Sequence, residues 1–305
     1  MRLIVNGQQA FCKATLDAII EKGVDEVVAV YTAPDKEGKP FDAAKESAIA
    51  HGIPCIQPAN YTDAAVLDEM RALNADLMVM AYMIIFVPEE ARDVPKHGSI
   101  CFHPSILPAH RGPSSINWPI IWGRKETGLT IFWPDDGLDE GEILLQKHVD
   151  IEPDATLGSI YFDKVFPIGV AAMLEAIDLV RDGNAPRIKQ DDSQATYEGW
   201  ANKKIAQIDW NRSAGEVYNL IRGCDPQPGA WTTLDGDEVQ VYDCSKVAAY
   251  GRTGKIAAIS KEGMVVTAGL GGILIRKVRA AGGKKMSSAD FVAERGISVG
   301  TKLGT

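Results

Sequence analysis

The chain has 305 residues, 46% of them hydrophobic and 24% charged, which is ordinary globular composition and enough length for two cores. Its formal net charge is −9 and its basic residues are scattered, the densest cluster being Gly283-Lys-Lys, so the phosphate neutralisation on which nucleic-acid binding rests is not expected. No apolar run approaches the roughly 20 residues of a membrane helix, and five cysteines without a CxxC pair point to a reduced, cytoplasmic protein.

The first half alternates short apolar runs with helical patterns. Leu3–Val5 reads as a strand and not as a signal peptide, Phe11–Lys22 as a helix, and Val27–Tyr31 as a second strand. Next come a helix over Phe41–His51 closed by Gly52, a short strand near Ile53–Ile56, a helix over Ala64–Leu73 and a strand over Asp76–Tyr82. Alternation with fully apolar strands predicts an α/β fold: a Rossmann-like, mostly parallel sheet covered on both faces. Its site is then expected beyond the C-terminal ends of the strands. The first strand runs into "NGQQAF" and not GxGxxG, so a nicotinamide cofactor is not expected. Ser99–Phe102, Thr130–Trp133 and Ile143–Val149 read as further strands, and Thr156–Arg181 as a long helix interrupted at Pro167.

Residues 183–204 are polar and weakly periodic and read as a linker between a domain over 1–182 and one over 205–305. After a short helix near Ala214–Ile221 the pattern turns all-β, with an Asp235-Gly236 hairpin signal and glycine-separated strands. A small β-barrel fits.

Two loops carry the chemistry. In "ICFHPSILPAHRGP" an apolar strand ends at His103, and Pro104 and Pro108 stiffen the loop beyond it. An imidazole at that strand end stands where an α/β site belongs, whereas His51 and His148 read as structural, His97 as solvated, and His110 as able to touch a substrate. In "IFWPDDGLDEGEILLQ" a second strand runs into Asp135, Asp136, Gly137, Asp139, Glu140 and Gly141. The EF-hand calcium pattern is not met. A carboxylate from this loop could orient the imidazole and stabilise its protonated form, making an acid/base pair from two neighbouring strand ends. No GxSxG-type nucleophile motif is present, which leaves the substrate or water to supply the nucleophile.

At these residues the chain resembles the enzymes that use 10-formyltetrahydrofolate. The carrying motifs are Cys101-Phe-His103-Pro-Ser-Ile-Leu-Pro, Arg111-Gly112 and Gly137-Leu-Asp139-Glu-Gly141. "KIAQIDW" at 204–210 and "AAGGKKMSSADF" at 280–291 extend the likeness over nearly the whole chain. The resemblance implies a C-terminal OB-like barrel and a catalytic pair, His103 and Asp139, with Asp139 setting the imidazole tautomer. It also implies a folate pocket formed by the segment Met83 to Pro88, with Ile85, Phe86 and Val87 around the pteridine, together with Ser105, Ile106, Leu107, Asp136 and Gly137.

Cys101 stands where the transferases carry the asparagine of Asn-x-His, an amide expected to hold the formyl oxygen. The hydrolase branch, the N-terminal domain of 10-formyltetrahydrofolate dehydrogenase, also lacks it, and "YTAPDKEGKP" and "SSINW" look like that branch. The loop after the second strand has no basic insertion of the tRNA-binding kind. The implied activity is hydrolysis of 10-formyltetrahydrofolate to tetrahydrofolate and formate, without a metal, a membrane or tRNA, and with a separate dehydrogenase or carrier partner left open. Transfer to an amine, of a sugar or of methionyl-tRNA, and weakly catalytic folate binding are the alternatives.

Overall fold

A computed structural model describes residues 1–83 and 85–304. Ile84, within the expected folate-pocket segment, lies outside the described residues. In chain order the elements are β1 (Arg2–Gly7), α1 (Gln9–Lys22), β2 (Glu26–Tyr31), α2 (Ala43–Ala50), β3 (Cys55–Ile56), α3 (Ala64–Ala72), β4 (Leu77–Ala81), α4 (Glu89–Arg92), β5 (Ser99–His103), α5 (Asn117–Ile121), β6 (Glu126–Phe132) and β7 (Ile143–Asp150). They continue with α6 (Leu157–Ser159), a π-turn (Ile160–Val165), α7 (Phe166–Arg181), a 3₁₀ turn (Asp192–Gln194), α8 (Ala214–Gly223), β8 (Trp231–Leu234), β9 (Asp237–Val247), β10 (Ile256–Ser260), β11 (Gly263–Thr267), β12 (Gly272–Ala280), β13 (Met286–Ser287) and α9 (Ser288–Glu294). No described helix is long and apolar enough to cross a membrane.

Two compact units result. The first joins Met1–Gly112, Gly128–Val149 and Lys164–Tyr197. Its seven-stranded sheet has the order β3-β2-β1-β4-β5-β6-β7. The five strands from β3 to β5 are parallel, as the apolar runs predict: all of β4 and nearly all of β1 are buried. β6 is antiparallel to β5, so the sheet is mixed. On one face Ile4, Met78 and Met80 pack with Met70 and Tyr61; near β5, Phe102 stacks on Phe11 of α1 at 4.1 Å between ring centroids. Local rules mark the helix ends: Asp42 caps α2, and Gly23 closes α1 with φ of 66°. The helical stretch over Thr156–Arg181 is broken at Pro167 as expected: the π-helical Ile160–Val165 gives way there to α7. Pro167 falls in the first turn of α7, where a missing N–H costs little, and the π-turn takes up the irregularity before it.

The second unit gathers Pro113–Thr127, Asp150–Asp163 and the chain from Glu198 onward. Residues 183–204, expected as a linker, are thus divided between the units after Tyr197. The second core includes Trp210, Val217, Ile221, Val241, Ile273 and Phe291. Asp235 and Gly236, both with positive φ, turn β8 into β9 as the hairpin signal requires. The sheet is antiparallel, but the expected closed barrel is not found among the described residues. The strand path β10-β11-β12-β9-β8 is open, with β13 on β12. Its outer strands meet other segments instead of each other. Trp231 of β8 bridges Gln207, and Ile256 of β10 exchanges backbone hydrogen bonds with Gly300 and Thr301. Covering both edges removes the drive to close.

Candidate active site

The site lies in the first unit, where β5 ends. His103 is 6% exposed. Its Nε2–H donates to the His110 carbonyl at 2.9 Å, and its Nδ1 lies 3.5 Å from Asp139 Oδ2. A carbonyl can only accept, so this bond puts a proton on Nε2 and turns Nδ1 toward the carboxylate. The tautomer is therefore set by the His110 carbonyl and not by Asp139. His110, with φ of 60°, supplies that carbonyl from the stiff loop.

The loop keeps its shape through internal bonds. Ser105 Oγ donates to the Ala109 carbonyl at 2.7 Å. Thr130 Oγ1 donates to the Ser105 carbonyl and accepts from Leu107 N–H, while Gln146 Nε2 donates to the Leu107 carbonyl. The Ile106 side chain lies over Gly128, where a Cβ would fall 2.4 Å from Ile106 Cδ1. Ser105, Ile106 and Leu107 are thus knitted into the loop and the neighbouring strands.

Asp139 does not arrive as a second strand end pointing the same way. Because β6 is antiparallel to β5, Thr130 sits opposite His103 and Phe132 opposite Cys101, so β6 leaves in the other direction. The loop is pinched at its base by the Trp133 N–H bond to the Glu142 carbonyl. There a Cβ on Gly141 would fall 1.8 Å from the Trp133 carbonyl oxygen, so glycine is required. The chain doubles back to bring Asp139 to His103. Asp139 has φ of 57°, and its Oδ2 also accepts from Gly112 N–H at 2.8 Å.

What holds this turn is not visible in the sequence. Gln190, in the polar segment that reads as a linker, is 4% exposed and donates to the carbonyls of Asp139 and Gly141 at 2.9 and 2.7 Å. Its own carbonyl accepts from Arg111 Nη2 at 2.9 Å, and Arg111 pairs with Asp192 at 2.7 Å. Arg111 stands in the family motif, but nothing in the sequence ties it to Gln190.

Cys101 is partly buried, with Sγ 3.8 Å from the Phe102 carbonyl. Burial pushes its thiol well above the ordinary value and the Asp139 charge adds to this, so it stays protonated, a weak donor and no nucleophile. Among the expected folate-pocket residues, Val87 and Asp136 are joined through buried Arg92, which donates to the Val87 carbonyl at 2.9 Å and pairs with Asp136 at 2.7 Å. Phe86 is 67% exposed, Ile85 packs at the edge of the core, and Gly137 N–H closes the acidic turn onto Asp135.

Where the strand order reverses, between β1 and β4, a small cavity is lined by Gln8, Tyr61, Tyr82, Met83 and Ile85 among others. Gln8 is buried, and its Nε2 has no hydrogen-bond partner among the described residues. No group of three metal-ligating side chains occurs among the described residues.

Residues 1–177 match the formyl transferase family and residues 201–296 its C-terminal domain. The chain belongs to the formyl transferase family. It is 40% identical over 278 residues to the cytosolic 10-formyltetrahydrofolate dehydrogenase of Xenopus laevis, covering 88% of this chain and 31% of that one. The chain thus spans about a third of that relative's length. It is 36% identical over 309 residues to the methionyl-tRNA formyltransferase of Geobacter sulfurreducens, covering 100% of this chain and 97% of that one. In fold it is similar to HypX from Aquifex aeolicus in complex with tetrahydrofolic acid, at TM-score 0.68 and 19% identity over 98% of this chain and 48% of that one. The charge argument against tRNA is not supported by the end-to-end match to a formyltransferase named for methionyl-tRNA.

Proposed function

We propose that this chain binds 10-formyltetrahydrofolate and removes its formyl group through His103 and Asp139, with water as the preferred acceptor. The observation that carries the reading is the His103 geometry: Nε2–H anchored on the His110 carbonyl, Nδ1 turned to Asp139. In this reading Nδ1 takes a proton from water as the water oxygen bonds to the formyl carbon. The imidazolium, paired with Asp139, steadies the charge on the former formyl oxygen. The C–N10 bond then breaks as Nδ1 returns the proton to N10, giving formate and tetrahydrofolate. The Met83 to Pro88 segment, with Ile85, Phe86 and Val87, and the loop residues Ser105, Ile106, Leu107, Asp136 and Gly137 form or shape the folate pocket. Residues 1–182 are the catalytic part, joined through 183–204 to an OB-like C-terminal part over 205–305. No metal is assigned a role.

Water is preferred over an amine because Cys101 stands where the transferases carry asparagine, a residue that the hydrolase branch also lacks. The end-to-end match to a methionyl-tRNA formyltransferase favours the second reading, transfer to an amine by the same pair. The dehydrogenase relative is about three times longer, which supports a further activity supplied by another chain or segment. Incubation with 10-formyltetrahydrofolate, with and without candidate amines and methionyl-tRNA, tests the assignment. Formate release undiminished by acceptors is expected; formylated acceptor outpacing formate would replace hydrolysis by transfer.

A further inference from the structure

The second unit holds a cavity of about 370 Å³ beside α8. Arg222 lines it and is only 6% exposed. Its Nε donates to Asn219 and its Nη1 to the Ala155 carbonyl, at 2.9 and 3.0 Å. It makes no ion pair with any described carboxylate, and burial lowers its tendency to hold its proton. The Asp154 charge acts on it without pairing directly, which leaves a buried guanidinium that a bound anion would stabilise further. Arg276 also lines it and donates to Ser245 Oγ at 3.0 Å, its Nη1 lying 3.8 Å from Asp243.

Three carboxylates also line the cavity. Asp154 accepts from Tyr218 Oη–H at 2.6 Å, Asp225 lies 3.5 Å from Lys285 Nζ, and Asp243 is the loose partner of Arg276. A polyanion such as phosphate meets three like charges here, and a simple cation meets two guanidiniums. A molecule carrying one charge of each sign meets neither penalty. Ile221 and the Cys244 thiol, which burial pushes up to about 12 and so keeps neutral, supply an apolar wall. The volume suits a small metabolite.

We propose that this cavity binds a small α-amino acid, its carboxylate on Arg222 and Arg276 and its ammonium among Asp154, Asp225 and Asp243. The site is separate from the His103 pair and does not depend on what that pair does. The test is calorimetric titration of the full chain with L-leucine, with its two halves 4-methylpentanoate and isoamylamine, and with inorganic phosphate. Leucine is expected to bind at least about tenfold more tightly than either half, the effect of one charge-assisted contact. Arg276→Gln and Asp225→Asn, each checked by thermal unfolding, are each expected to weaken leucine about tenfold. They remove opposite charges from different elements, so if one fails to fold the other still decides. Absence of leucine binding at millimolar concentration, phosphate or a half-molecule binding as tightly, or unchanged affinity in a folded variant would overturn the proposal.

Discussion

His103 meets Asp139 through Nδ1, at 3.5 Å, because its Nε2 is already held by the His110 carbonyl. The backbone of the proline-stiffened loop fixes the tautomer, and the acidic loop provides the charge.

Gln190→Ala should loosen the acidic loop without touching the pair itself. It removes two bonds to the Asp139 and Gly141 carbonyls and leaves Arg111 short of an acceptor. A misplacement of Asp139 by about 1 Å predicts a kcat reduced about 10²-fold, and the lost buried bonds predict about 1–3 kcal/mol of stability. Steady-state kinetics and denaturant unfolding read these; a full kcat in a destabilised protein would make Gln190 structural only.

Cys101→Asn restores amide donors at the position beside the pair. Deformylation is expected to accelerate by about 10–10²-fold if the side chain reaches the formyl oxygen, since one such donor typically contributes about 10²–10³. Formate and formylated-amine yields should be followed together. An unchanged rate would mean that residue 101 does not face the reacting group. Wild-type Cys101 should also label slowly with thiol reagents at neutral pH, its thiol being kept protonated by burial.

Much of this arrangement is legible in the sequence. The apolar runs of β1 and β4, the hairpin at Asp235-Gly236 and the imidazole ending β5 all come from local pattern. The Asp139 partner is also legible, though not by the route of two strand ends pointing the same way. Strand direction is a long-range property: nothing in Glu126–Phe132 says that β6 runs against β5. Gln190 is invisible for the same reason. Its bonds reach back 49 and 51 residues, and its neighbours Asp191, Asp192 and Ser193 make the segment look like solvated chain. The open path of the second sheet is not legible either, because short strands and glycine turns specify hairpins and not what covers the outermost edges.

Gln8→Leu separates stability from binding. The buried Nε2 has no partner among the described residues, so removing it should leave stability unchanged or raise it by up to about 1–3 kcal/mol. The cavity it lines includes Met83 and Ile85, and the KM for 10-formyltetrahydrofolate should rise about tenfold with kcat retained. A destabilised variant with unchanged KM would assign Gln8 to packing.

Asp25 predicts a pH dependence of folding. Burial raises its carboxyl, but hydrogen bonds from Arg181 and the Met1 ammonium outweigh this and hold it below the usual carboxylate range. With the folded value depressed, its contribution is complete above the unfolded value of about 4 and is lost as pH falls through the folded one. Asp25→Asn should cost about 1.5–3 kcal/mol at pH 7 and flatten the acid limb of stability against pH. Parallel curves for the two proteins would contradict this.

The most direct measurement is formate release from 10-formyltetrahydrofolate by His103→Ala, with tetrahydrofolate followed in the same reaction and folding checked by thermal unfolding. The expected result is a folded protein that still binds the folate and releases no formate above the uncatalysed rate. Formate release at the wild-type rate by the folded variant would contradict it.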